Sequence, residues 1–274
     1  MTTTLRTLAL LLLILIWLAL AGCQSGKLAP SDARPAVLLV LTNHGQMGGG
    51  PGDQMGDTGE PTGFYLSEAA HPWHVFNEAG WIVVLASPRG GDAPIDPRSL
   101  EGADEQSRAF LKKFAEDGRG GMVVPGTATL ENMRASAFEA IFFAGGHGTM
   151  WDFPQGPGVR ETAEGVYRSG GVVAAVCHGP AALVNLRGKD GQPLVAGRRV
   201  TGFTNAEEEA VGLTGAMPFL LETRLGELGA QFVGAGNFEK NVVVDGRLVT
   251  GQNPASARAA AEAVVEIAAA DDEG

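Results

Sequence analysis

The chain has 274 residues, a formal net charge of −11, and 45% hydrophobic side chains, with only two cysteines. Scattered Lys and Arg in so acidic a chain argue against a nucleic-acid partner and against electrostatic docking on anionic lipid. The 40 glycines fall at turns without a repeat period, and neither an internal repeat nor a coiled-coil heptad is present.

The first segment concerns targeting. Arg6 supplies a short positive region, and Leu8 to Leu20 is almost unbroken apolar sequence. At about 13 residues it is shorter than the roughly 20 needed to span a bilayer, so it reads as a signal-peptide core rather than a transmembrane anchor. It ends in Leu20-Ala21-Gly22-Cys23, which resembles the lipobox of bacterial lipoproteins. That resemblance implies a signal peptide over 1–22 and a lipidated Cys23 as mature N-terminus. Beyond the lipidated Cys23 of segment 23–35, residues 24–35 form a polar tether reaching no more than ~40 Å from the membrane. Gln24 resembles sorting signals for an outer membrane, which implies a lipid-anchored domain in the bacterial cell envelope, facing the periplasm. Lipidation of Cys23 would leave Cys177 as a solitary thiol in an oxidising compartment, a candidate reactive group exposed to over-oxidation.

The remaining chain, 36–270, is enough for one α/β domain. Val37–Leu41 reads as a buried strand, Gly63–Ala79 as a helix and Ile82–Ala86 as the next strand. Segment 92–135 is polar and irregular, a candidate cap or lid with one helix around Glu101–Ala115. A strand at Ala140–Ala144, a helix over 159–169, a strand over 172–176 and a helix over 178–186 follow. A glycine-rich excursion through 189–193 leads to a short strand at Arg199–Phe203, a helix over 216–229, a hairpin-like pair at 242–249 and a closing helix over 255–269. Buried strands alternating with helices predict a largely parallel sheet covered on both faces, with sites at the carboxyl ends of strands.

The most informative stretch is Val172-Val-Ala-Ala-Val-Cys177-His178-Gly179-Pro180. A buried strand turns sharply into a helix with a thiol at the corner, where the helix N-terminus favours the thiolate. A buried structural cysteine is the alternative, but it has no need of the His-Gly-Pro that follows. Three further segments are candidates to meet the thiol. Phe142-Phe-Ala-Gly-Gly-His147-Gly-Thr149 is a strand entering a glycine loop, whose N–H groups would stabilise an oxyanion together with that of His178; otherwise it is a plain turn. Gly63 to Trp73 places Glu68 in an apolar helix start, as a proton shuttle or a solvated carboxylate. Gly202-Phe-Thr-Asn-Ala-Glu207-Glu208-Glu209 offers an acid to orient His178, or a charged helix start.

These pieces, with Thr201-Gly-Phe-Thr204 and Gly246 to Ser256, resemble the ThiJ/PfpI superfamily, which is class I glutamine-amidotransferase-like, over roughly residues 36–268. The resemblance is to the branch of glutathione-independent glyoxalases and holding chaperones. It implies a flavodoxin-like sandwich with a nucleophile elbow at Cys177. It further implies His178 as neighbouring base, Glu68 as the acid that contacts the thiol, Glu208 (or Glu207) as the carboxylate behind His178, Gly146 and His178 as backbone oxyanion donors, and His147 lining the pocket. The implied activity is a lyase: a small reactive carbonyl, methylglyoxal, is converted to lactate without metal, glutathione or other cofactor. Holding chaperone and cysteine amidase or peptidase are the alternatives, and a homodimer is left open. The glycine-rich loop Gln46–Thr62 is longer than that branch suggests and lacks the Gly-Lys-Ser/Thr ending of a phosphate loop. His71, His74 and Glu78, with His44, do not have the spacing of a zinc helix, and no metal is expected.

Overall fold

The computed structural model describes residues 34–48, 59–115 and 122–272. The expected signal peptide, Cys23 and the tether up to residue 33 lie outside the described residues, as do residues 49–58 of the glycine-rich loop. The centre is an eight-stranded sheet in the order β3-β4-β2-β1-β5-β6-β10-β9. Its strands are β1 (Ala36–Val40), β2 (Ile82–Ser87), β3 (Arg89–Pro94), β4 (Val123–Thr129), β5 (Ala140–Phe143), β6 (Val172–Val176), β9 (Val242–Asp245) and β10 (Leu248–Gly251). The six inner strands run parallel, and β3 and β9 close the two edges antiparallel. A small parallel pair, β7 (Arg199–Val200) and β8 (Gln231–Phe232), stands apart.

Both faces are covered, which is why β5 and β6 are apolar and buried at every position rather than alternating. Val37 and Leu39 face α1 (Leu66–Glu78), α2 (Glu105–Phe114) and α7 (Ala257–Asp272). Leu38 and Val40 face the other layer, which holds α4 (Val159–Arg168) and the 3₁₀ turn Gly179–Asn185. Three shorter α-helices are also present among the described residues: α3 (Thr149–Asp152), α5 (Asn205–Ala210) and α6 (Leu221–Glu227).

Several expectations need correction. Segment 92–135 is built into the sheet: it completes β3, carries α2 and supplies β4, which pairs with both β2 and β3. The helix expected over 178–186 is 3₁₀ throughout, because the Gly179-Pro180 start sits tight against the end of β5. The helix over 216–229 shrinks to α6.

Candidate active site

Strand β6 ends at Val176, and the next residue, Cys177, takes φ = 60°, a left-handed conformation that non-glycine residues seldom adopt. Two backbone bonds hold it there: Cys177 N donates to Gly251 O at 2.9 Å, and Phe203 N donates to Cys177 O at 2.8 Å. Glycine is required beside this turn. A Cβ on Gly145 would lie 2.4 Å from Val176 O and 2.7 Å from Glu68 Oε2. Gly146, at φ = 104°, would meet Gly63 O at 2.4 Å. The left-handed corner brings neighbouring side chains together, with Cys177 Sγ 3.4 Å from His178 Nδ1.

Behind the imidazole stands Glu208, in the first turn of α5, and it serves two histidines. His178 Nε2 donates to Oε2 at 2.7 Å, and His147 Nε2 donates to Oε1 at 3.0 Å. Burial opposes ionisation of Glu208, yet the two histidines outweigh it and hold the carboxyl below the usual range. His147 is pulled down to about 4 by burial and by His178, and is therefore neutral near pH 7. The two imidazole centroids lie 4.2 Å apart, and Phe203 packs 4.5 Å from the His178 ring.

Glu207, the alternative partner for His178, is engaged elsewhere. It forms a capping box with Thr204 and accepts from Phe238 N at 2.7 Å and Asn253 Nδ2 at 2.8 Å. Its work is to pin the start of α5 to the chain around 238 and 253.

On the other side of the sulfur lies Glu68, fully buried in the first turn of α1. Its Oε2 accepts from Gly145 N at 2.9 Å, while Oε1 is buried without a hydrogen-bond partner. Burial raises its pKa to about 8, against the opposing pull of the Cys177 thiol and the Gly145 N–H. The expectation that a helix N-terminus lowers the thiol pKa does not hold. Burial pushes Cys177 well above its usual range and Glu68 pushes the same way; only the N–H groups of His178 and Gly146 oppose them. The helix-start N–H of His178 does act in the expected direction, but burial of the sulfur outweighs it.

His71, His74 and His44 do not gather into a site: His71 Nε2 is 2.6 Å from Asp104 Oδ2, His74 Nε2 is 3.3 Å from Gln106 O, and His44 stacks on Trp151. Among the described residues the group able to hold a metal is His147, His178 and Glu208. Sequence reasoning missed Arg98, whose Nη2 donates to His147 Nδ1 at 3.2 Å, and Asp96, which clamps Arg98. The Asp96-Pro-Arg-Ser helix start was the available signal. It also missed Asp152, buried against Thr42 and Asn43 and raised by that burial to about 7.

The DJ-1/PfpI family model matches residues 61–267. The chain belongs to the DJ-1/PfpI family. Within the family it is 34% identical over 239 residues to "Glyoxalase 3" of Candida albicans, a match covering 84% of this chain and 96% of the relative. It is 33% identical over 235 residues to "Glutathione-independent glyoxalase HSP31" of Saccharomyces cerevisiae, covering 82% and 94%. Among solved structures, the DJ-1/PfpI domain described here is similar to Rapid Encystment Protein 24 KDa of Francisella tularensis, with TM-score 0.76 and 37% identity over 85% of this chain and 99% of that one. Glyoxalase III of Candida albicans aligns with TM-score 0.74 and 30% identity, covering 85% and 97%.

Proposed function

We propose that this chain is a cysteine-dependent, glutathione-independent glyoxalase converting methylglyoxal to lactate, with Cys177 as nucleophile. The observation that carries the reading is the sulfur's position between two proton carriers of opposite character: a Glu68 carboxyl kept protonated near pH 7 and a His178 backed by an ionised Glu208. An aldehyde-to-acid rearrangement needs protons moved at oxygen and at carbon, and one carrier suits each task.

In the first step the Cys177 sulfur bonds to the aldehyde carbon. The thiol proton passes to His178 Nδ1, and Glu68 protonates the former carbonyl oxygen. The result is a hemithioacetal, with Glu68 now a carboxylate. Glu68 then takes the hydrogen from that carbon while His178 protonates the neighbouring ketone oxygen, giving an enediol. Return of the Glu68 proton to the second carbon, with loss of the first hydroxyl proton to His178, leaves a lactoyl thioester. Water attacks its carbonyl, giving a proton to Glu68, as the departing sulfur recovers its proton from His178. Lactate is released and every group is reset. The N–H groups of Gly146 and His178 beside the sulfur are suited to hold the oxyanion.

Exposed large hydrophobic residues among the described ones are Ile82, Val211, Phe238 and Val244, on separate segments. That gives a client-holding role less support than the thiol site gives chemistry. We further propose that Cys23 is lipidated after removal of residues 1–22 and tethers the domain in the cell envelope; Cys23→Ala should then abolish incorporation of labelled palmitate. For the enzymatic reading, reduced protein is assayed for methylglyoxal loss and lactate formation without glutathione. Turnover that disappears in Cys177→Ala and Glu68→Gln supports it, and no turnover in the reduced parent protein sinks it.

A further inference from the structure

Two imidazoles and a carboxylate converge beside Cys177, with the ligand-capable atoms of His147, His178 and Glu208 all within 4.8 Å of one another. Two histidines and one carboxylate make a donor set that zinc and iron accept readily. To serve a metal, each ring must offer the lone pair of Nε2, the nitrogen that faces the other members.

At His147 that choice is constrained from behind. A guanidinium carries donors only, so Arg98 Nη2 at 3.2 Å obliges His147 Nδ1 to accept. In a neutral imidazole the proton must then sit on Nε2, where it points at Glu208 Oε1. Arg98 is not free to turn away. Its backbone N and its Nε each donate to Asp96 Oδ1 at 2.9 Å, and Nη2 reaches Asp96 Oδ2. Asp96 is itself buried and accepts from Thr62 Oγ1 at 2.9 Å.

We propose that Arg98 is a positioning residue that holds His147 in its Nε2–H tautomer, so that His147, His178 and Glu208 remain a proton-bearing relay and are kept from acting as a divalent-metal site. Freeing Nε2 for a metal would move the proton to Nδ1, setting N–H against N–H at the guanidinium and breaking the Arg98 bond. With the tautomer fixed, both Glu208 oxygens receive an N–H, which orients the carboxylate toward His178. The consequence for turnover rests on the glyoxalase reading; the consequence for metal binding does not.

The test uses Co²⁺ as the probe on the full-length protein carrying Cys177→Ala, which removes the thiol as a competing ligand. Adding Arg98→Met is expected to tighten Co²⁺ binding about 10–100-fold, the range typical of changes behind a metal-binding histidine. The gain should vanish when His147→Ala is added. Because Arg98→Met leaves the Asp96 carboxylate without its partner, Asp96→Asn with Arg98→Met is measured alongside, since Asn still accepts from Thr62. Imidazole ¹⁵N NMR should show His147 protonated at Nε2 with Arg98 present, and a changed tautomer balance without it. Equal Co²⁺ affinity with and without Arg98 would overturn the proposal. So would a gain that persists without His147, or one that occurs with the His147 tautomer unchanged. None of these readouts requires turnover, so a failed metal test and a failed glyoxalase assay are separate results.

Discussion

The two flanks of Cys177 each bury a glutamate, and the two glutamates end in opposite protonation states. Glu68 has one backbone N–H and a thiol for company, so desolvation wins and its carboxyl stays protonated up to about 8. Glu208 is buried almost as deeply, yet two imidazole N–H groups, one on each oxygen, hold it ionised. Burial sets the direction only where partners are too few to answer it. The difference separates a group that can give and take a proton from one that stays fixed as an anion, with the sulfur between them.

Removing the sulfur is the harshest way to break this comparison. Cys177→Ala should leave less than about one-thousandth of the parent turnover, as expected when a covalent nucleophile is lost; lactate formation measures it. Glu68→Gln should lower turnover by about 10²–10⁴-fold, the usual worth of a general acid–base group. The same variant should be more stable than the parent. Because the folded-state pKa of Glu68 is raised, ionising it disfavours the fold, and stability falls as pH rises from 4.5 to about 8. Gln removes that loss, by up to about 3 kcal/mol at pH 7, and denaturant unfolding across this window checks it. Glu208→Gln tests the other flank and should cost about 10²-fold in turnover. Its sign with pH is opposite. Glu208 is held below its usual range, so it stabilises the fold above the unfolded-state value near 4.5, and the gap between parent and variant should close as pH falls below it. The mildest change is Glu207→Gln, which should cost about 1–3 kcal/mol because an amide nitrogen replaces one of the two oxygens that accept from Thr204 N and from Phe238 N and Asn253 Nδ2, and slow turnover less than Glu208→Gln.

Much of this was legible in the residues. Strands β5 and β6 announce themselves by unbroken apolar runs, and the thiol corner follows directly from β6. The choice between Glu207 and Glu208 was also readable: Thr204-Asn-Ala-Glu207 is a capping box, which commits Glu207 to the cap and leaves the next carboxylate free. Strands β3 and β4 were not legible, because Arg89-Gly-Gly-Asp-Ala-Pro94 and Val123-Val-Pro-Gly-Thr-Ala-Thr129 carry glycine and proline where strand patterns want branched side chains. Their irregular pairing, with a register shift between Gly91 and Ala93, accommodates those residues. Arg98 was hidden for a different reason. Its role depends on where a turn at the β3 side of the sheet lies relative to a loop after β5, which no local pattern encodes. The direction of the thiol pKa was not legible either, because it is set by burial and by Glu68, a residue more than a hundred positions away in the chain.

The order of the strands carries a consequence for the life of the chain before it is finished. Val37 in β1 pairs with Ala140 in β5, and β5 in turn pairs with β6, so the sheet beneath Cys177 closes only through contacts distant in sequence. Such closures are slow relative to local helix formation. Until they are made, the sulfur lacks the burial that shields it in the folded protein and raises its pKa above the ordinary thiol value. A newly made chain therefore carries this thiol less shielded from solvent before the strands pair than after.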